Sequence, residues 1–248
     1  MMTNNKPRPH TYLSLKPGLC ALILCWLLLP LPVWSLDSAS SVDDPWEGFN
    51  RKVFAFNDGL DRILLKPVAK GYRAITPEPV DKGVTNFFSN LGEIGNVINS
   101  LLQGELIQAG KGTTRFVVNS TLGIGGLFDV ANRMGVKESE EDFGMTLAKW
   151  GVDAGPYVVL PLLGPSTVRD GIGEVPDYFM NPIIYLDDTP VELSLWALSV
   201  IDLRADLLDV DELVSGDRYV FIRDAYLQRR RFLVTGELPE DDFGDEDF

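Results

Sequence analysis

The chain has 248 residues, 22 basic and 36 acidic, for a net charge of −14. That balance disfavours nucleic acid, whose binding rests on neutralising phosphates, and a purely electrostatic hold on anionic lipid; solubility alone also accounts for it. The single histidine, His10, and the only cysteines, Cys20 and Cys25, all fall before Ser35.

Lys6, Arg8 and Lys16 give a positive start with no acidic residue, and an apolar run follows from Leu19 to Leu31, broken at Pro30. Val33-Trp34-Ser35 then supplies small or modest side chains for a signal peptidase. Residues 1–35 therefore read as a secretory signal, cleaved near Ser35 or Ala39. The alternative is an uncleaved anchor, but roughly 13 to 15 apolar residues fall short of the ~20 that span a bilayer. Cys20 follows Leu19 and Cys25 follows Leu24, so neither is preceded by the small residue that lipidation prefers. Cleavage without lipidation is the expectation. It removes three basic residues and no acid, taking the charge from −14 to −17. What remains is a body over 36–236 and an acidic tail over 237–248, with no thiol, imidazole or disulfide.

The body opens at Asp44-Pro45-Trp46-Glu47, which suits an N-cap, a first-turn proline and a reciprocal cap. Behind it Trp46, Phe49, Val53, Phe56, Leu60 and Ile63 recur at steps of three and four, one aromatic helical face limited by Pro67. After Pro79 a second stripe runs through Val80, Val84, Phe87, Leu91, Ile94, Ile98 and Leu101, widened by Phe88, Val97 and Leu102. Gly92 and Gly95 are expected to bend or split it. Residues 104–118 form a third helix with Leu106, Ala109, Thr113, Phe116 and Val117 inward, and the glycines of 122–127 break it. Lys137 to Asp142 reads as a charged loop, and Phe143 to Trp150 as a short helix or turn. Gly155 to Gly164 is apolar and extended in character. Pro165-Ser166 then opens a helix through Arg169 and Asp170. Val191 to Leu208 is a long helix with Leu195, Leu198, Ile201 and Leu208 near one face. Asp217 to Val234 is the last, ending at Gly236.

Chemistry-bearing motifs are scarce. Without histidine in the body, His-based triads and metal sites are excluded. No nucleophile elbow or phosphate-binding glycine loop occurs. The glycines of 122–127 serve close packing or a hinge rather than a cofactor. Asp142, Asp153, Asp170, Asp177, Asp187 and Asp188 fall in no spaced ligand loop, and solvated faces or helix caps account for them. Arg169-Asp170 reads as an anchor for the apolar segment before it. Arg229-Arg230-Arg231 suits a helix C-terminus, or a docking patch for an acidic partner or headgroups. The aromatic stripes fit a bundle core, an interfacial membrane face or the lining of an acyl-chain cavity.

Several long motifs in order carry a family resemblance. They are Asp44-Pro-Trp-Glu-Gly-Phe-Asn-Arg51, Phe56-Asn57, Lys66-Pro-Val-Ala69, Asn86-Phe87, Asn90-Leu91, Asn119-Ser-Thr-Leu-Gly-Ile-Gly-Gly-Leu-Phe-Asp-Val130, Phe143-Gly144, Gly155-Pro-Tyr-Val-Val-Leu-Pro161 and Gly164-Pro-Ser-Thr-Val-Arg-Asp-Gly171. Together they resemble the MlaA (VacJ) family over about 43–236. The resemblance implies a mostly α single domain, a ring of amphipathic helices around a central amphipathic channel. It implies a non-catalytic conduit in the inner leaflet of the outer membrane. Such a conduit removes mislocalised phospholipid from the outer leaflet and passes it to a soluble periplasmic carrier. Phospholipid, a porin trimer and that carrier are the implied partners, with no cofactor, metal or nucleic acid. A porin-docking adaptor without transfer activity is the alternative; a hydrolase using carboxylates alone is a third reading. The departure is the anchor, since the family typically begins with a lipidated cysteine. On this basis Trp46, Phe49, Val53, Phe56, Phe87, Phe88, Leu91, Ile94 and Ile98 are expected to face lipid. Tyr157, Leu160, Pro161, Leu162, Leu163 and Arg169 are expected in a channel wall whose turns are set by Pro156, Pro161 and Pro165. Lys137 to Asp142 is a candidate gate.

Overall fold

The computed structural model describes residues 44–236 apart from 213 and 215. The expected signal over 1–35 and the acidic tail over 237–248 lie outside the described residues. The body is mostly helical, as its periodicities predict, with one two-stranded sheet.

Helix α1 (Glu47–Leu60) runs through a π-helical turn (Asp61–Leu65) directly into α2 (Lys66–Ile75). Pro67 therefore does not end the helix. Proline lacks an N–H and crowds the carbonyl four residues back, and a wider turn immediately before it eases both constraints. Asp44 is not the helix cap either: Trp46 takes that position and makes no side-chain cap bond. The Asp44 carboxylate accepts from Trp46 N at 3.2 Å and Asn50 Nδ2 at 2.8 Å. It also accepts from the Tyr219 hydroxyl of the last helix, α9 (Arg218–Thr235). Glu47 pairs with Arg51 at 2.6 Å instead of reaching back. Tertiary partners outcompete the local cap.

Helix α3 (Glu78–Leu102) is unbroken over 25 residues, so Gly92 and Gly95 do not split it. Helix α4 (Leu106–Thr121) packs along it. The glycine that decides this packing is Gly112: a Cβ there would lie 2.9 Å from Val97 Cγ2 and 3.2 Å from Glu93 Oε2. The buried line of α4 is Ala109, Gly112, Arg115 and Asn119. Of the residues expected inward, Ala109 is buried and Phe116 half-buried, whereas Leu106, Thr113 and Val117 are exposed. Both sets obey helical spacing, so periodicity alone does not say which faces in.

A glycine-rich loop over 122–128 leads to α5 (Val130–Arg133), capped by Asp129, and then to α6 (Phe143–Lys149), capped by Asp142. The apolar segment is a hairpin. Strand β1 (Tyr157–Leu160) pairs antiparallel with β2 (Gly164–Thr167), Tyr157 opposite Thr167 and Leu160 opposite Gly164. Pro165 and Ser166 thus belong to β2, and α7 (Val168–Met180) starts after them with Thr167 as its cap. Leu162 at the hairpin tip has φ of 68°, left-handed backbone that favours glycine. Asp188 caps α8 (Thr189–Asp206), Asp217 caps α9, and Gly236 at φ 73° closes it.

The apolar core is small. Tyr157, Val159 and Tyr219 form its centre, with Val53, Phe54, Val220, Tyr226 and Leu227 packed around them. Phe54 meets Tyr219 edge-on at 5.6 Å between ring centroids, a geometry that aromatic quadrupoles favour.

Candidate functional site

Away from that core the distribution of polarity is inverted. Among the described residues, buried polar and charged side chains outnumber buried apolar ones, while large apolar side chains lie exposed along most helices. On α3 the buried residues are Gly83, Asn90, Glu93, Asn99 and Ser100; on α4 none is larger in apolar surface than alanine. An unpaired buried polar group is costly, so each must find partners within the fold.

The central pair is Glu93 of α3 and Arg115 of α4, 0% and 2% exposed, joined through Arg115 Nε. Arg115 also donates to the Val136 carbonyl at 2.9 Å and pairs with Asp129 at 3.2 Å and Glu138 at 3.4 Å. Burial pushes the Glu93 carboxyl above its ordinary value, against the pull of Arg115 and Asn96. Asn119 holds the far end of the following loop, donating to Asp129 at 3.1 Å and accepting from Ala131 N at 2.9 Å.

A second cluster joins the first turn of α7, just after the hairpin, to α9. Asp170, 7% exposed, meets Arg169 and Arg230 at 2.9 Å each and accepts from the Tyr226 hydroxyl at 2.8 Å. Burial alone would raise its carboxyl, but Arg230, Tyr226 and Arg169 hold it below the usual range. Arg169 N also donates to Ala154 O at 3.1 Å, so Arg169-Asp170 anchors the apolar segment as its sequence predicts. Asp142 caps α6 and pairs with Arg230; Asp177 accepts from Phe143 N and from Asn99. Burial pushes the Asp177 carboxyl up in spite of those donors. A third cluster gathers Lys66, Arg204 and Arg218 around Asp211 at 2.7 to 3.1 Å. Burial opposes ionisation there, yet Lys66 and Arg204 bring the Asp211 carboxyl down to about 2.

The aspartates therefore cap helices and pair with arginines. Within the basic run, Arg229 pairs with Glu140 and Arg230 with Asp142 and Asp170, so two of the three arginines are spent internally. The 137–142 segment is tied down by the same contacts. Glu138 accepts from Ser89 at 2.7 Å and Glu141 N donates to Asn96 at 3.1 Å, which opposes its use as a freely mobile gate.

Of the residues expected to face lipid, Phe49 and Phe56 are 50% and 58% exposed. Trp46, Val53, Phe87, Phe88, Leu91, Ile94 and Ile98 are half-buried. Of those expected in a wall, Tyr157 and Leu160 are buried in the hairpin and Arg169 in its ion pairs. Pro161, Leu162 and Leu163 stand exposed at the tip. A cavity of about 380 Å³ between α2, α3 and α8 is lined by Arg73, Glu78, Asp81, Asp206 and Asp209 among others, too polar for an acyl chain. Among the described residues no group of three or more potential ligands is placed to hold a metal ion, and no helix is long and apolar enough to cross a membrane.

Two residues that sequence reasoning passed over organise the hairpin. Asn50 donates to Tyr157 O at 3.0 Å and accepts from Val159 N at 2.9 Å. Asn57 does the same with Leu160 O and Leu162 N, both at 2.9 Å. One face of α1 thus supplies the hydrogen bonds that a third strand would make to β1. The signal was the Phe-Asn pair repeated seven residues apart, Phe49-Asn50 and Phe56-Asn57, which sets the phenylalanines outward and the amides inward.

Comparison with known proteins follows this geometry. The family model described as MlaA lipoprotein matches residues 42–233. The intermembrane phospholipid transport system lipoprotein MlaA of Escherichia coli is 41% identical over 199 residues, 78% of this chain and 79% of that protein. The Haemophilus influenzae protein of the same name is 36% identical over 210 residues, 81% and 83% of the two chains. An uncharacterised Rickettsia typhi protein is 42% identical over 203 residues, 80% of each. A solved structure, described under the structural basis for maintenance of bacterial outer membrane lipid asymmetry, superposes with a TM-score of 0.68 at 39% identity. It covers 77% of this chain and 99% of its own.

Proposed function

The chain belongs to the MlaA lipoprotein family, and from that premise we propose that it moves phospholipid out of the outer leaflet of an outer membrane and hands it to a soluble periplasmic carrier, so maintaining lipid asymmetry. The observation that carries this reading is the inverted polarity of α3 and α4, polar side chains buried and apolar ones outward. In water such exposure is a liability; in the interface of a bilayer it is the hold on the membrane. Phe49 and Phe56 on α1 belong to this surface, and the half-buried Phe87, Phe88, Leu91, Ile94 and Ile98 line its edge. Residence in the inner leaflet is part of this reading.

The helices form a ring around an amphipathic channel, with the exposed Pro161–Leu163 tip as its contribution from the hairpin. Headgroups keep polar surroundings while tails stay against apolar side chains, so transfer avoids the desolvation of crossing hydrocarbon. No covalent bond is made or broken. A porin trimer holds the protein in place and the carrier receives the lipid.

The test is reconstitution of the full chain into liposomes with labelled phospholipid and the purified carrier. Transfer well above the protein-free rate, with the lipid recovered intact, is expected. A rate equal to the protein-free one overturns the conduit in favour of a porin-docking adaptor. Release of lipid breakdown products overturns the non-catalytic reading.

A further inference from the structure

Helix α8 packs against both α2 and α3, and three carboxylates gather where these helices join. Asp202 of α8 is 4% exposed. It accepts from the Tyr72 hydroxyl of α2 at 2.9 Å and from the Thr85 hydroxyl of α3 at 3.0 Å. Thr85 Oγ1 also lies 3.2 Å from the Asp81 carbonyl, and one hydroxyl proton serves one acceptor at a time. Asp206 stands one turn along α8 from Asp202, and Asp81 one turn back along α3 from Thr85. Asp81 Oδ1 is buried and has no hydrogen-bond partner among the described residues.

The cations around this junction are committed elsewhere. Arg73 of α2 holds both oxygens of Asp209 at 2.9 Å each, and Lys82 of α3 holds Glu78 at 2.5 Å. Arg204 of α8 holds Asp61 and Asp211 at 2.7 Å each. Among the described residues no ion pair reaches Asp81, Asp202 or Asp206. Asp211 shows the opposite case: burial opposes its ionisation too, yet Lys66 and Arg204 draw its carboxyl down. At the junction burial pushes the Asp202 carboxyl above its ordinary range, the Asp81 charge adds to this, and the two hydroxyls only moderate it. Partial burial, then the charges of Asp202 and Asp81, push Asp206 up as well, against the pull of Arg73. Burial also raises the Tyr72 phenol, which therefore stays a donor.

A carboxyl that takes up a proton becomes a donor, and Asp81 Oδ1 is an acceptor without one. The polar cavity of about 380 Å³ lined by Asp81 and Asp206 gives water, and so protons, access to the group. We propose that Asp81, Asp202 and Asp206 form an acid-strengthened joint, in which uptake of a proton by the group fastens α8 to the α2–α3 corner and its loss toward neutral pH loosens that corner. The joint is independent of the lipid-transport reading. The proton belongs to the coupled group rather than to one residue. The folded chain binds more protons here than the unfolded chain, whose aspartates titrate near 3.8. The stability contributed by the joint is therefore complete below 3.8 and is lost as pH rises through the folded value, the reverse of Asp211.

The test is hydrogen exchange read by mass spectrometry on the full chain at about pH 5 and about pH 7.5, each rate divided by the intrinsic exchange rate at that pH. Protection of peptides covering α8 and the start of α3 should fall several-fold from the lower pH to the higher, relative to the β1–β2 hairpin. Asp206→Asn, at an exposed position that tolerates the change, and Asp81→Asn should hold that protection at the higher pH near the unsubstituted chain's value at the lower one. Abolition of the fall by either substitution is sufficient support. Protection in α8 that is independent of pH, or that rises with it, overturns the joint. A fall that persists undiminished in both variants overturns it as well, because other groups then carry it.

Discussion

The α1–hairpin–α9 region and the α3–α4 pair solve the same packing problem in opposite ways. In the first, Tyr157, Val159 and Tyr219 are buried with Phe54 and Tyr226 against them, a core of the kind water imposes. In the second, the buried side chains at the contact are Glu93, Arg115, Asn90 and Asn119, with half-buried Val97 against Gly112 the apolar exception. The first region is stabilised by removing apolar surface from water. The second has little such surface at its contact, so matched hydrogen bonds and charges hold its partners in register and its outer face depends on what surrounds it. The two sides are linked through Gln103 of the segment after α3, which donates to Glu141 at 2.9 Å, and through Arg230 of α9, which pairs with Asp142 just downstream.

The contrast breaks first at Arg115. Replacing it with leucine leaves Glu93 buried and unpaired, and about 3–5 kcal/mol should be lost in denaturant unfolding. The double variant Glu93→Leu with Arg115→Leu should recover most of that, since apolar residues of similar volume can replace a buried pair. If the single and double variants are equally unstable, the pair is not what joins α3 to α4.

The asparagines of α1 test the other region. Asn50→Ala leaves a buried N–H and carbonyl of β1 without partners, at about 1–3 kcal/mol for each orphaned group, read as a fall in Tm. Asn57→Ala, nearer the exposed tip, should cost less, because water reaches the groups it abandons.

Gly112→Ala places a methyl 2.9 Å from Val97 Cγ2, and overpacking of this kind costs about 1–3 kcal/mol. The change should weaken α3–α4 while leaving near-ultraviolet signals from the Tyr157–Tyr219 core intact until global unfolding. Simultaneous loss of both signals would show that the two regions melt as one.

Acid titration gives a smaller effect. The Asp211 carboxyl lies at about 2 in the folded chain against 3.8 ordinarily. The unfolded chain therefore binds more protons in that window. The stability contributed by Asp211 is complete above 3.8 and is lost as pH falls toward 2. Asp211→Asn should flatten this limb of the stability profile measured by urea titration. An unchanged limb would mean other carboxylates carry it.

The smallest effect on stability, and the sharpest on function, is expected at Phe56. Being 58% exposed, its replacement by aspartate should shift unfolding by no more than about 0.5 kcal/mol, yet reduce membrane retention in cell fractionation. A folded, fully retained Phe56→Asp protein would remove α1 from the lipid surface.

Much of this was legible in the chain. Pro165 and Pro67 depart from the boundary role that proline suggests for one reason: neighbouring backbone, a strand pair and a π turn, has room for it. The capping reading of Asp44 failed because Asn50 and Tyr219, remote partners, compete for the same carboxylate. Asp188 and Gly236 behave as their types predict, and Asp217 caps its helix through one oxygen while the other pairs with Arg51 at 2.8 Å. The helix of 104–118 was placed along the chain within a few residues, but its inward face was largely misassigned, with Leu106 and Val117 outside and Arg115 and Asn119 inside.

The sequence by itself determined where the helices run, where the apolar stripes lie and which family the motifs resemble. These depend on local backbone preference and on residue spacing, both written along the chain. Only the tertiary structure decided which stripe is buried. A helical period marks a face but not its surroundings, and the choice between interior and exterior is made by the partners that Glu93, Arg115, Asn50 and Asn57 find far away in sequence.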